Sequence, residues 1–212
     1  LDEMECKKVL DFVKEFTEAE EALVLSTCNR TEIYYSSEED LTKDIVKGIA
    51  TIKGIPSENI EGFFSNQLDA AEAIRYLFRV SMGLEAQVVG DIQISNQVKR
   101  AYQWSADVDM AGPFLPRLMH TTFFTNKRVV QETPYRDGAA SISYAAKELV
   151  EDLSSEIVSP RILVLGLGEI GKDVCKNLRD SRFDSVTIVN RSPEKAEEMA
   201  AAVEKAGVAN TV

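Results

Sequence analysis

Residues 161–171 narrow the possible folds more than any other stretch of this chain. Arg161-Ile162-Leu163-Val164-Leu165 is an apolar run, and Gly166-Leu167-Gly168-Glu169-Ile170-Gly171 follows at once. An apolar run closed by a glycine turn predicts a buried strand passing directly into a helix. The helix is expected to bury Ile170, Val174, Cys175 and Leu178 on one face. Residues 185–189 read as a second strand, and a second helix is expected from Pro193 to about Ala206. Strand, helix, strand, helix in that order is the opening of a doubly wound parallel sheet. Such a sheet has about six strands when complete. The 52 residues from Arg161 onward are too few for that, so the sheet is expected to be unfinished in this sequence.

Glycines at the first, third and sixth positions suit a dinucleotide. Gly166 permits the tight turn, Gly168 lets a pyrophosphate approach the backbone, and Gly171 lets helix and strand pack closely. The helix start supplies N–H donors to the phosphate. The expected cofactor site is therefore the Rossmann-type turn Gly166, Leu167, Gly168, Glu169, Ile170 and Gly171, together with the end of the next strand, Asn190, Arg191 and Ser192. An NAD site places an acidic residue at that strand end, and none stands there. Arg191 suits a 2′-phosphate, as does a Ser192 hydroxyl donor, which favours NADPH. Arg191 as an ordinary solvated residue is the competing reading. Ser192-Pro193 also reads as N-cap and first helical residue.

The first part of the chain has a different rhythm. Cys6, Val9, Leu10, Val13 and Phe16 fall at helical spacing; 22–25 and 31–35 read as strands, with a polar connection at 26–30; 40–52 read as a helix. This is most of a small ferredoxin-like α/β sandwich, a fold that begins with a strand, so its first strand is expected to be missing. From Asp69 the pattern turns helical, with breaks at Gly83, Gly90 and Gly112-Pro113. Ile94, Val98, Ala101 and Tyr102 share one face, and Phe114, Leu118 and Thr122 another. Pro134 and Gly138 precede a helix expected at roughly 139–153. Two domains are expected: 1–138 for substrate and catalysis, and 139–212 for the nucleotide.

Charge and rare residues exclude several classes. A net charge of −11 argues against broad nucleic-acid binding. The charge is uneven, at −8 over residues 1–61 and +3 over 99–136. That basic stretch is read first as a solvated helix surface. Cys6, Cys28 and Cys175 are too few and too scattered for a disulfide framework or a zinc ribbon. A single histidine, His120, read as a structural helix-face residue, leaves no material for a His-based triad or metal site, so no metal is expected. With neither a signal pattern nor an apolar run of membrane length, a cytoplasmic protein is expected.

Cys28 follows a buried strand and stands two residues before Arg30. A nearby cation stabilises a thiolate, so Cys28 is a candidate nucleophile. A packing role at the strand end is the equal alternative on spacing alone. Cys6 and Cys175 fall on apolar helix faces and are assigned to the core.

The segment Leu25-Ser26-Thr27-Cys28-Asn29-Arg30-Thr31-Glu32-Ile33-Tyr34 resembles the active-site signature of glutamyl-tRNA reductases. The resemblance continues through residues 77–84, 89–94, Gln97, Lys99, Ala101-Tyr102, Lys127-Arg128-Val129, Glu132-Thr133, Ser141, the glycine turn and Asn190-Arg191, and so covers essentially the whole chain. It implies a three-domain enzyme whose helical dimerisation domain lies outside this sequence. The implied chemistry starts with attack of the Cys28 thiolate on the glutamyl ester of tRNA. NADPH-dependent reduction of the thioester then gives glutamate-1-semialdehyde, a tetrapyrrole precursor. Thr27, Asn29 and Arg30 would surround the substrate, Arg30 pairing a carboxylate, with Asp91, Gln93 and Gln97 completing the pocket. The basic stretch would meet tRNA phosphates. Implied partners are glutamyl-tRNA, a second copy in a homodimer, and glutamate-1-semialdehyde aminomutase.

The sequence departs from the family at several places. Tyr76 stands where the family usually has histidine and takes its catalytic position; Ala86 stands for serine, Asp91 for glutamate, and Ile92 for proline or a polar residue. A non-catalytic paralogue that binds NADPH or tRNA without turnover is the alternative these changes favour. An oxidoreductase resembling shikimate dehydrogenase, suggested by Asn190-Arg191-Ser192, ranks last because that family lacks the Cys28 signature.

Overall fold

In the computed structural model the described residues are 1–136, 142–179, 181–203 and 206–208. They divide into two compact units, Leu1–Tyr135 and Arg136–Val212. Gly138, Ser141 and the first residues of the helix expected near 139 lie outside the described residues.

The first unit is built on a hairpin. Helix α1 (Glu3–Phe16) starts in a reciprocal cap: Asp2 accepts from the Glu5 N–H at 2.8 Å, and Glu5 accepts from the Asp2 N–H at 2.9 Å. It buries Cys6, Val9, Leu10 and Val13, whereas Phe16, expected on that face, is 67% exposed and packs on Phe12 with ring centroids 5.0 Å apart. Strands β1 (Glu21–Ser26) and β2 (Thr31–Ser36) pair antiparallel, with Glu21 opposite Ser36 and Ser26 opposite Thr31.

Successive strand residues point to opposite faces. Ala22, Val24, Ile33 and Tyr35 therefore pack with α1 and with α2 (Thr42–Lys53). Leu23, Leu25 and Tyr34 pack on the other side with α3 (Ala70–Ser81), α4 (Ile92–Asp107) and α5 (Leu115–Glu132). A two-stranded hairpin is marginal by itself in water, and helices on both faces supply the missing burial. Phe114 was expected on the buried face of α5; it is the N-cap residue and 51% exposed. It has no side chain able to cap. Buried Glu21 does so from β1, accepting from the Phe114 and Leu115 N–H groups at 2.7 and 2.5 Å.

In the second unit α6 (Ile142–Leu153) is followed by β3 (Arg161–Leu165), α7 (Glu169–Asn177), β4 (Ser185–Val189), α8 (Pro193–Ala202) and β5 (Ala206–Val208). The strands are parallel in the order β3-β4-β5, so the observed pattern is one strand longer than expected. Helix α8 ends at Ala202 rather than near Ala206, and Ala206 opens β5. Ile162 and Val164 face a core of Cys175, Leu178, Val186, Ile188 and Ala196. Ile170 was expected on that core face but is 49% exposed.

Candidate active site

The hairpin turn at residues 27–30 is held by its own first residue. The Thr27 N–H donates to the Arg30 carbonyl at 2.9 Å, closing the turn. Thr27 Oγ1 accepts from the Asn29 and Arg30 N–H groups, each at 3.2 Å. Thr27 thus shapes the turn, while the Cys28 and Asn29 side chains stand exposed at its tip. The other two thiols differ. Cys6 and Cys175 are fully buried, and burial pushes Cys6 up to about 11 and raises Cys175 as well.

Arg30 leads back into β2 and is held on three sides. Its Nη1 donates to Glu32 Oε1 at 3.2 Å and to the Tyr76 hydroxyl at 3.3 Å; its Nη2 donates to the Glu85 carbonyl. Glu32 is the hub. Besides Arg30 it accepts from Tyr76 at 3.2 Å and from Tyr34 at 2.7 Å, and its side chain is 14% exposed. Residues 30, 32 and 34 fall on one side of the chain at the period of two that a strand imposes. The Glu85 end is fixed in turn by Arg79, whose Nε donates to Glu85 Oε1 at 2.5 Å.

Tyr76 therefore sits beside the Cys28 turn as a phenol and not as a base. Partial burial first, and the Glu32 charge second, raise its ionisation above the ordinary phenol range, so it remains a hydrogen-bond donor at neutral pH. Tyr34 moves the same way for the same two causes.

The residues expected on α4 separate in role. Asp91 is buried and caps the helix, its carboxylate accepting from the Gln93 N–H at 2.9 Å. The Gln93 side chain is exposed. Gln97 Oε1 is buried without a hydrogen-bond partner, an acceptor in want of a donor. His120 is exposed on α5.

The glycine turn of the second unit is as constrained as its pattern implied. Gly166 has φ +90°, a conformation that L side chains rarely adopt. A Cβ on Gly171 would lie 2.1 Å from the Gly166 carbonyl oxygen, so only glycine lets α7 approach the turn. Asn190 braces the turn from the end of β4. Its Oδ1 accepts from the Leu167 N–H at 3.0 Å, and its Nδ2 donates to the Ser192 carbonyl at 3.0 Å. Leu167 is itself buried in the core. Ser192 occupies the N-cap position of α8 without a side-chain cap bond.

An open groove of about 810 Å³ runs between the two turns, lined by Gly166, Gly168, Asn190, Arg191, Ser192 and Lys195 among others. Space is open where a Gly168 side chain would stand, and Lys172 is the first residue of α7 whose N–H reaches a helical acceptor. The N–H groups before it are available to a phosphate. Arg191 and Lys195 are exposed, and neither has a carboxylate partner among the described residues. The groove therefore fits a phosphate-bearing dinucleotide. Lys195, in the first turn of α8, joins Arg191 at the groove, and no motif in the sequence marks it.

Residues 1–133 match the family model described as glutamyl-tRNAGlu reductase, N-terminal domain. The chain belongs to the glutamyl-tRNA reductase family. Residues 146–211 match the shikimate / quinate 5-dehydrogenase model, as expected of a dehydrogenase-type nucleotide unit. The chain is 55% identical over 203 residues to the glutamyl-tRNA reductase of Cytophaga hutchinsonii, covering 95% of this chain and 48% of that protein. It is 38% identical over 184 residues to that of Chloroherpeton thalassium, covering 86% and 42%. The solved glutamyl-tRNA reductase from Methanopyrus kandleri is similar across 100% of this chain and 51% of that one, with a TM-score of 0.57 at 30% identity. The chain thus spans about half the length of the curated relatives it matches. No helix among the described residues is long and apolar enough to cross a membrane.

Proposed function

We propose that this chain carries the chemistry of an NADPH-dependent glutamyl-tRNA reductase, with Cys28 as the nucleophile. The carrying observation is that Cys28 is the one exposed thiol of three and stands on a turn whose neighbouring cation, Arg30, is fixed by Glu32 and Tyr76. The Cys28 sulfur bonds to the ester carbonyl carbon, the carbon–oxygen bond to the terminal ribose breaks, and the ribose oxygen takes a proton. An aminoacyl ester is already activated, so placing the thiol contributes more than a strong base would.

Arg30 has five N–H donors and spends three on the protein. Nε–H and one Nη2–H remain, and they present to the substrate carboxylate. Glu32 and Glu85 fix the guanidinium so that little rotamer entropy is lost on binding. Tyr76 offers a hydroxyl where the family usually has an imidazole.

In the second unit the Gly168 turn and the α7 N-terminus hold the pyrophosphate, and Arg191 and Lys195 hold the 2′-phosphate. NADPH, when bound, supplies the hydride that reduces the Cys28 thioester to an aldehyde. The product in this reading is glutamate-1-semialdehyde, made at the first committed step of tetrapyrrole synthesis.

The test charges tRNA with labelled glutamate, incubates it with the chain without NADPH, quenches in acid and maps the label by mass spectrometry. Glutamate on the Cys28 peptide, absent in Cys28→Ser, is the expected result. An unlabelled peptide with bound tRNA would overturn the reading in favour of a non-catalytic binder.

A further inference from the structure

Helix α3 reaches the Arg30 guanidinium twice. Tyr76 meets it directly, its hydroxyl accepting from Nη1 at 3.3 Å. Arg79, three residues on and so on the same side of the helix, reaches it through Glu85. Arg79 Nε donates to Glu85 Oε1 at 2.5 Å, and the Glu85 carbonyl accepts from Arg30 Nη2. Both Nη groups of Arg30 are thus referred to one helix.

The loop that carries Glu85 is tied at its neck by backbone alone. The Gly83 carbonyl accepts from the Ala86 N–H at 3.3 Å and from the Gly90 N–H at 3.0 Å, and the Leu84 N–H donates to the Arg79 carbonyl at 2.9 Å. These bonds set the Glu85 carbonyl on Arg30 without help from the Glu85 side chain. Nor is the ion pair with Arg79 much of a stabiliser. The Arg79 side chain is 55% exposed and that of Glu85 26%, and a pair so open to water contributes little.

What the pair does is hold a carboxylate away. Arg30 keeps Nε–H and one Nη2–H for a substrate carboxylate, an edge that takes two oxygens side by side. Glu32 is committed to Nη1, Tyr34 and Tyr76. Glu85 is the other acidic residue bonded to Arg30 among the described residues. Its charge is also felt at the Tyr76 hydroxyl, where it adds to burial and to Glu32 in keeping the proton on. Released from Arg79, the Glu85 carboxylate can turn onto the open edge of Arg30. It would compete there as part of the same chain, with no translational freedom to lose.

We propose that Arg79 is a positioning residue that secures the preference for a carboxylate-bearing acyl group, by keeping the Glu85 carboxylate off Arg30 while the Glu85 carbonyl stays on it. This rests on the reading of Arg30 as the carboxylate-binding group beside a nucleophilic Cys28.

The test follows single-turnover acylation of Cys28 by mass spectrometry of the whole chain. One tRNA is charged with glutamate or, as the neutral counterpart, with glutamine. Half-saturation and maximal rate are read separately for the parent, Arg79→Gln, Arg79→Lys and Arg79→Gln/Glu85→Gln. In Arg79→Gln, half-saturation by the glutamyl ester should rise about tenfold, with its maximal rate and both values for the glutaminyl ester within about twofold of the parent. The double variant, which removes the released carboxylate, should recover to within about threefold of the parent. Arg79→Lys keeps the charge and should stay close to the parent. Melting temperatures should match throughout, because the pair is open to solvent.

A parent-like preference in Arg79→Gln overturns the proposal alone. So does a double variant as impaired as the single one, because the pair would then be holding the loop rather than the carboxylate. Equal losses with both esters overturn it as well. A parent that leaves Cys28 unacylated, or that acylates it without preferring glutamate, overturns the proposal together with the reading of Cys28 or Arg30 beneath it, so the two failures are told apart.

Discussion

Tyr76 donates its hydroxyl to Glu32 across 3.2 Å, tying helix α3 to the strand that leaves the Cys28 turn. The same oxygen accepts from Arg30, so a strand carboxylate, a turn guanidinium and a helix phenol form one closed triangle. Its members are charged or kept neutral by one another: Glu32 holds Arg30 in place and holds the Tyr76 proton on.

Tyr76→Phe removes one bond to each of the other members and keeps the ring. A lost hydrogen bond to a charged group at a partly open site costs about 1 kcal/mol. The expectation is a roughly fivefold weaker substrate affinity, with the single-turnover rate of Cys28 acylation nearly unchanged. A fall in that rate of a hundredfold would mean that Tyr76 touches the reacting atoms.

Glu32→Gln preserves shape and removes the charge that orients Arg30. Cys28 acylation by glutamyl-tRNA should drop at least tenfold, while melting shifts little. Glu32→Ala leaves Tyr34 and Arg30 short of a partner and should cost about 2–4 kcal/mol of stability, read by urea unfolding.

Arg191→Ala should weaken NADPH at least tenfold and leave NADH within a few-fold, measured by nicotinamide fluorescence. Arg191 and Lys195 line the groove, exposed and without a carboxylate partner among the described residues. Equal losses for both cofactors would remove the 2′-phosphate assignment.

Alkaline titration should separate the thiols. The Cys6 thiol is pushed up to about 11 from an ordinary 9.0. Between those values the unfolded chain gives up a proton that the folded chain retains. The stability associated with Cys6 is thus full below pH 9 and is lost as pH rises to 11. The decline amounts to roughly 2–3 kcal/mol and should be shallower in Cys6→Ala, followed by urea unfolding at each pH. In the native protein at pH 7, a thiol reagent should label Cys28 well ahead of Cys6 and Cys175; similar rates would contradict the observed burial.

Local pattern made the secondary structure legible. Strands β3 and β4 match the expected 161–165 and 185–189 because an apolar run and a glycine turn are local signals. The helical pattern in the sequence reaches Ala206, whereas α8 ends at Ala202 and Ala206 opens β5. What was missed is non-local. Glu32 reads as one more polar residue in an alternating strand; its partner Tyr76 lies 44 residues away, and Arg30 meets Glu85 across 55. Asp91, by contrast, makes a local bond, capping α4 two residues on at Gln93. Glu21 shows the non-local limit again: no local rule points to a strand carboxylate capping a helix 93 residues on.

The two strands of the hairpin differ in what they tolerate. Between Ala22 and Leu25 strand β1 is apolar on both faces, so that stretch alone would fit either way up. Strand β2 would not, because a slip of one residue would drive Glu32 and Tyr34 into the apolar cluster of α1 and α2. Alignment of the pair is therefore dictated by the very carboxylate that steadies Arg30. Adding or deleting a single residue at positions 27–30 should be punished as misfolding before it is noticed as lost activity, and the length of that turn is a fixed dimension of the molecule.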